Sequence, residues 1–224
     1  MTKSKNILFI GSGNSATLVN KLNLDEYTIC CVNNAWRLFE NSPDILEYWI
    51  HSGDFPKESY PEIKCFSNEI SHKEYVTGSS AARAILGWKV DSPEFLIGYT
   101  IFFQGIYWIM MELKPEKISL LGFDHDYNPE KVEKWLQNDN PNPQNYYHKD
   151  HTLSIKHWAS MFFENMESDC FYGWGTPDPI RFGEAYLLGK FALLEKSCET
   201  LGIQLVNLSP VESHLNPIRK EAIS

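Results

Sequence analysis

The stretch that most constrains this chain is Ile118 to Tyr127, Ile-Ser-Leu-Leu-Gly-Phe-Asp-His-Asp-Tyr. It is a short, nearly continuous apolar run, the pattern of a strand covered on both faces, and it stops at a glycine followed by two carboxylates and an imidazole. A strand buried on both faces belongs in a mostly parallel sheet with helices above and below it. Ligands of such sheets bind outside the carboxyl ends of the strands, so Asp124, His125 and Asp126 are expected at a crevice. The plainer reading of the same residues is a polar loop after a buried strand.

The rest of the chain repeats this alternation. Asn6 to Ile10 reads as a first strand, followed by the turn Gly11-Ser12-Gly13-Asn14-Ser15-Ala16 and a helix through Leu22. Further strands are expected at Tyr27 to Val32, Ile45 to Ile50, Ile63 to Phe66 and Ile203 to Leu208, with helices from Leu96 to Leu113 and Pro179 to Leu201. Asp178 before Pro179 is a good N-cap, and Gly202 marks the last helix's end. The 224 residues fit one α/β domain, Rossmann-like, with helices on both faces. Residues 128–151 lack apolar periodicity and include Asn138-Asp139-Asn140-Pro141-Asn142-Pro143, so they are expected to form a flexible lid inserted in that domain.

The net charge of −9 gives no electrostatic help in holding a polyanion. Five cysteines, an odd number with no C-x-x-C spacing, suit reduced thiols of a cytoplasmic protein. The segment from Tyr99 to Leu113 is the greasiest, but Gln104, Gly105 and Glu112 interrupt it and it is shorter than the ~20 residues of a membrane span. No transmembrane segment is expected, and the amino terminus lacks a secretory signal pattern.

Several strand ends carry residues suited to a ligand. A strand, a glycine turn and a helix start point free N–H groups at an anion, so Gly11, Ser12, Gly13, Asn14 and Ser15 are candidate phosphate contacts. Their spacing, G-x-G-x-x-A, is a permitted form of the dinucleotide fingerprint. A nicotinamide enzyme would place an acidic residue after the second strand, whereas Asn33 and Asn34 stand there, able to read a base edge or a ribose hydroxyl or to make an Asx turn. His51 follows the third expected strand, and Gly78-Ser79-Ser80 suggests a second glycine and hydroxyl turn.

These motifs, in this order, resemble the bacterial sialyltransferases of glycosyltransferase family 42. The matching residues are Gly11-Ser12-Gly13-Asn14-Ser15, Val32-Asn33, Gly122-Phe123-Asp124, and the closing helix and strand from Leu194-Glu195-Lys196 to Leu205-Val206-Asn207-Leu208-Ser209-Pro210. The resemblance implies one nucleotide-binding α/β domain with a lid and a donor site for a nucleotide-activated sugar. Gly11, Gly13, Asn14 and Ser15 would meet phosphate or ribose, Asn33 the nucleotide, and Gly122 and Asp124 would lie beside the donor. Two positions depart from that family. Ile180-Arg181-Phe182-Gly183 stands where the family has a histidine as general base, and Asp126 stands where the family has a tyrosine two residues after the aspartate, with Tyr127 one place later.

The departures have a physical reading of their own. Asp124-His125-Asp126 is a literal Asp-x-Asp, and hard cations take carboxylate and phosphate oxygens, so Asp124 and Asp126 are candidate ligands for Mg or Mn if the donor is a nucleotide diphosphate sugar. With a CMP-type donor and no metal, Arg181, Tyr127 or Tyr147 would stabilise the departing phosphate. His148 and His151 lead the candidates for the base that deprotonates the acceptor hydroxyl, followed by Asp126 and then His125. The expected function is sugar transfer from a CMP- or UDP-type donor to a hydroxyl of a glycan, or of a modified DNA base. The rival expectations are an NAD(P)-dependent oxidoreductase and an inactive nucleotide-sugar-binding protein.

Overall fold

A computed structural model describes residues 5–39, 42–52, 66–70, 85–86, 101–125, 184–213 and 216–223. Its centre is a sheet of β1 (Asn6–Ile10), β2 (Thr28–Val32), β3 (Tyr48–Ser52), β4 (Phe66–Ile70), β5 (Lys117–Leu121) and β6 (Gln204–Asn207) in the order β4-β3-β2-β1-β5-β6. Every neighbouring pair runs parallel. The fold class is therefore α/β.

Alternate residues of the strands feed two apolar layers, as the period of two requires. On one face Ile7, Phe9, Cys30, Val32, Ile118 and Leu120 pack with α1 (Ile101–Trp108) and α2 (Glu184–Leu201). The other face buries Leu8, Ile10, Ile29, Cys31 and Leu121 with Ala16, Val19, Ala35, Trp36 and Phe39 from two 3-10 helices, Asn14–Lys21 and Asn33–Phe39. Both faces are covered, which explains why β1, β2 and β5 read as apolar runs rather than alternating ones.

The path reverses at β1. From β1 the chain steps outward to β2 and β3, then returns through α1 to β5 on the other side of β1 and continues to β6. Right-handed crossovers taken in opposite directions put their helices on opposite faces, as the two apolar layers show.

Three boundaries differ from the sequence expectation. Pro43-Asp44-Ile45 forms a 3-10 turn, with proline suited to its first position, so β3 begins at Tyr48 and His51 lies inside the strand. β4 starts at Phe66, where the expected short strand ends, and it stands at the edge of the sheet. The segment after α1 relaxes into a π-helix, Ile109–Leu113, closed by Lys114 in the left-handed region. Gly202, with φ 69°, ends α2 in a Schellman arrangement in which Ile203 N–H reaches Cys198 O at 2.8 Å and Gly202 N–H reaches Glu199 O at 3.1 Å.

Candidate ligand site at the carboxyl edge

Because all six strands are parallel, their carboxyl ends share one edge of the sheet. The turn after β1, the Asn33 turn after β2 and the Gly122 turn after β5 therefore stand side by side there. The path reverses between β1 and β5 at this edge, which is the position where parallel sheets of this kind commonly bind ligands.

The β1 and β5 turns touch backbone to backbone. Gly11 N–H donates to Leu121 O at 2.8 Å and Gly13 N–H to Gly122 O at 2.7 Å. A Cβ on Gly11 would lie 2.5 Å from Gly122 O, and one on Gly13 would lie 2.7 Å from Asp124 Oδ2. Gly122 adopts φ 73° as well, so any side chain there would be strained and would meet Gly11 O at 2.4 Å. The glycines of the fingerprint are thus required by the neighbouring turn, whatever ligand is present.

Asp124 joins three strand ends. Its carboxylate, only 2 % exposed, accepts Ser15 N–H at 2.9 Å on Oδ2, and on Oδ1 it accepts the Ser15 hydroxyl in a short bond and the Ser209 hydroxyl at 2.6 Å. Each hydroxyl is itself an acceptor, Ser15 Oγ from Gly122 N–H at 2.9 Å and Ser209 Oγ from Val211 N–H at 3.2 Å. Ser15 N–H belongs to the first turn of the 3-10 helix that follows β1, so the chain's own carboxylate sits where that helix would draw an anion.

The segment after β6 closes over the β5 exit. Asn207 N–H donates to Arg219 O at 2.9 Å and Glu221 N–H to Asn207 O at 3.0 Å, which brings the two ends of the loop together. Lys220 Nζ pins the loop's start through Val211 O at 2.7 Å and Glu212 Oε1 at 2.8 Å. From within this loop Asn216 Nδ2 donates to Phe123 O at 2.7 Å and the Ser213 hydroxyl donates to His125 O.

His125 turns inward. Its backbone takes φ 48°, and its ring meets Phe102 and Phe191 edge-on at centroid distances of 5.6 and 5.4 Å. Burial pushes its pKa down to about 4, so the imidazole is neutral at pH 7 and serves as an aromatic packing group.

Gly11, Ser12, Gly13, Ser15, Gly122 and Asp124 therefore meet at the edge, with Ser12 half-buried and the others buried or engaged in the fold. Asn14, Asn33 and Asn34 have the expected backbone positions, in the 3-10 segments that open after β1 and β2. Asp126, Tyr127, Tyr147, His148, His151 and Arg181 lie outside the described residues, as do the expected lid and the Gly78 turn. Sequence reasoning had not assigned a role to Ser209, Ser213 or Asn216. The available signal was a cluster of small polar residues directly after the last strand, at the edge where the other turns converge. Comparison with family models, with curated proteins and with solved structures yields no match for this chain.

The Asp124 carboxylate does not fit an inner-sphere metal ligand. Three donors already occupy it, and it is buried behind Gly13. Among the described residues no group of three or more His, Cys, Asp or Glu side chains is arranged to hold a metal ion.

Proposed function

We propose that this chain is a glycosyltransferase with a Rossmann-like domain, which binds a nucleotide-activated sugar at the β1/β5 crevice and passes the sugar to an acceptor hydroxyl. The observation that carries the reading is the meeting of the β1, β2 and β5 turns on one edge of a parallel sheet whose path reverses between β1 and β5. Ser12 and Asn14 on the first turn and Asn33 and Asn34 on the second are the positions assigned to donor phosphate, ribose and base. The engagement of Asp124 favours a CMP-type donor, whose leaving group needs no divalent ion. Asp124 then acts as a brace for the turn, and no step is drawn through Mg or Mn.

The remaining chemistry is assigned from sequence. His148 or His151, with Asp126 next, takes the proton of the acceptor hydroxyl, and Arg181 with Tyr127 meets the departing phosphate. A glycan is the favoured acceptor, since a net charge of −9 does not help to hold DNA. No helix among the described residues is long and apolar enough to cross a membrane, and Cys30, Cys31 and Cys198 are buried.

Calorimetry with CMP, UDP and NAD, followed by nucleotide release from CMP and UDP sugars, tests the reading. CMP is expected to bind and its sugar to turn over. Binding of NAD in place of both pyrimidine nucleotides would establish the oxidoreductase, which shares the crevice but lacks the acidic residue after β2. Binding of a nucleotide sugar without turnover would establish an inactive binding protein.

A further inference from the structure

The turn after β1 carries the positions assigned to the donor, yet part of what holds it comes from the far side of β5. Ser209, on the exit from β6, reaches Asp124 Oδ1 at 2.6 Å, and the same oxygen accepts the Ser15 hydroxyl. The direction of these bonds is fixed. Gly122 N–H occupies Ser15 Oγ and Val211 N–H occupies Ser209 Oγ, so each hydroxyl has a backbone donor to accept and directs its own proton at the carboxylate. Asp124 Oδ2 is then aligned on Ser15 N–H at 2.9 Å, which sets the first turn of the helix that bears Asn14.

We infer that Ser209 is a positioning residue for the donor site, acting through Asp124 on Ser15; the inference rests on the nucleotide-sugar reading. Without the Ser209 hydroxyl, one oxygen of the carboxylate loses its second donor and the group can rotate about its last torsion. The alignment of Oδ2 on Ser15 N–H then loosens, and Ser12 and Asn14 lose their fixed place. The loss falls on donor binding in the ground state and the transition state alike, so it raises KM and leaves kcat nearly unchanged.

The test compares Ser209→Ala with Ser197→Ala. Ser197 is a buried α2 hydroxyl that bonds Tyr107 and Leu193 O, and it lies near the helix end that leads into β6, at the opposite edge of the sheet. In Ser209→Ala the donor KM and the calorimetric Kd for CMP are expected to rise about fivefold with kcat within about twofold, the net scale of one ordinary hydrogen bond. Amide hydrogen exchange at Ser15 is expected to quicken about tenfold while the β2 amides stay protected. Ser197→Ala is expected to change none of these at Ser15 or in KM. A wild-type protein that binds CMP, with Ser209→Ala matching Ser197→Ala in KM and Ser15 exchange, overturns the inference alone. A wild-type protein that binds neither CMP nor UDP overturns the donor reading, and with it the positioning role, even where Ser15 exchange still responds to Ser209→Ala.

Discussion

Replacing Asp124 with Asn keeps the side chain's shape and removes its charge, so it asks whether three donors need a group that only accepts. In the native site Ser15 N–H points at Oδ2 while the Ser15 and Ser209 hydroxyls point at Oδ1. An amide can serve one side only. If its oxygen faces the hydroxyls, its NH2 confronts Ser15 N–H, and two buried donors meet without an acceptor. If it flips, the NH2 faces both hydroxyls, whose protons must then leave the carboxylate's position and find other acceptors in a buried site. A buried donor left unsatisfied costs roughly 1–3 kcal/mol, and a hydrogen bond to a charged acceptor exceeds a neutral one by roughly 1 kcal/mol. Relief of the carboxylate's own burial offsets part of this, which leaves a loss of about 3 kcal/mol.

For a domain of this size that loss lowers Tm by roughly 6–12 °C. Urea unfolding of Asp124→Asn should show the midpoint reduced and the slope unchanged, the sign of lost stability without a change in the surface exposed on unfolding. The double variant with Ser209→Ala should lose less than the sum of the single losses by about 1 kcal/mol, because both act on one oxygen. An Asp124→Asn protein within about 0.5 kcal/mol of the parent would refute the brace, since a change of that size is what an unconstrained surface position shows.

Two further outcomes follow from buried polar groups. His125 holds a folded pKa of about 4 against an ordinary 6.5, so between those values the unfolded chain binds the extra proton. Stability should therefore fall as pH drops from about 6.5 to 4, by roughly 3 kcal/mol in total, and level off below. This component should vanish in His125→Asn, which tolerates the left-handed backbone, and an NMR titration placing the imidazole pKa at 6 or above would refute it. Ser119 is fully buried in β5 between its register partners Leu8 and Val206, and its Oγ has no hydrogen-bond partner among the described residues. Ser119→Ala should be neutral or stabilising by up to about 1 kcal/mol in chemical unfolding, and a loss larger than that would reveal a partner for the hydroxyl.

The sheet was legible because double burial leaves a plain mark. β1 and β2 are each apolar at four of five positions and β5 at Ile118, Leu120 and Leu121, and such runs fit strands with helices on both sides. The edge strands were harder to bound. Ile45 and Leu46 look like strand residues, but Pro43 starts a 3-10 turn that takes in Ile45, and β4, an outer strand, has the sequence Phe-Ser-Asn-Glu-Ile with no apolar run to mark it. The glycine turn was visible as strand, turn and helix, whereas the reason for its glycines was not. That reason is the backbone of Gly122, far along the chain, and no local pattern reports a partner at such a distance. The carboxylate of Asp124 was ambiguous for the same reason. An acidic residue just past a buried strand has the same appearance in sequence whether it faces a ligand or accepts from Ser15 and Ser209.

The engagement of Asp124 also limits how an anion can enter. A helix start attracts negative charge through its exposed N–H groups, but here Ser15 N–H is held by a buried carboxylate, and Gly11 and Gly13 donate to carbonyls of the β5 turn. A donor phosphate at this crevice would approach a fixed negative charge at a turn whose N–H groups at Gly11, Gly13 and Ser15 are already engaged, and the repulsion must be met by a cation from another part of the chain. We assign that role to Arg181, which precedes α2 in the sequence. Guanidinium suits the task because its fork pairs with phosphate through two bonds and keeps its charge at any physiological pH. On the proposed reading the glycine turn would supply shape and Arg181 charge, so recognition of a donor phosphate should depend more on the arginine than on the glycine fingerprint.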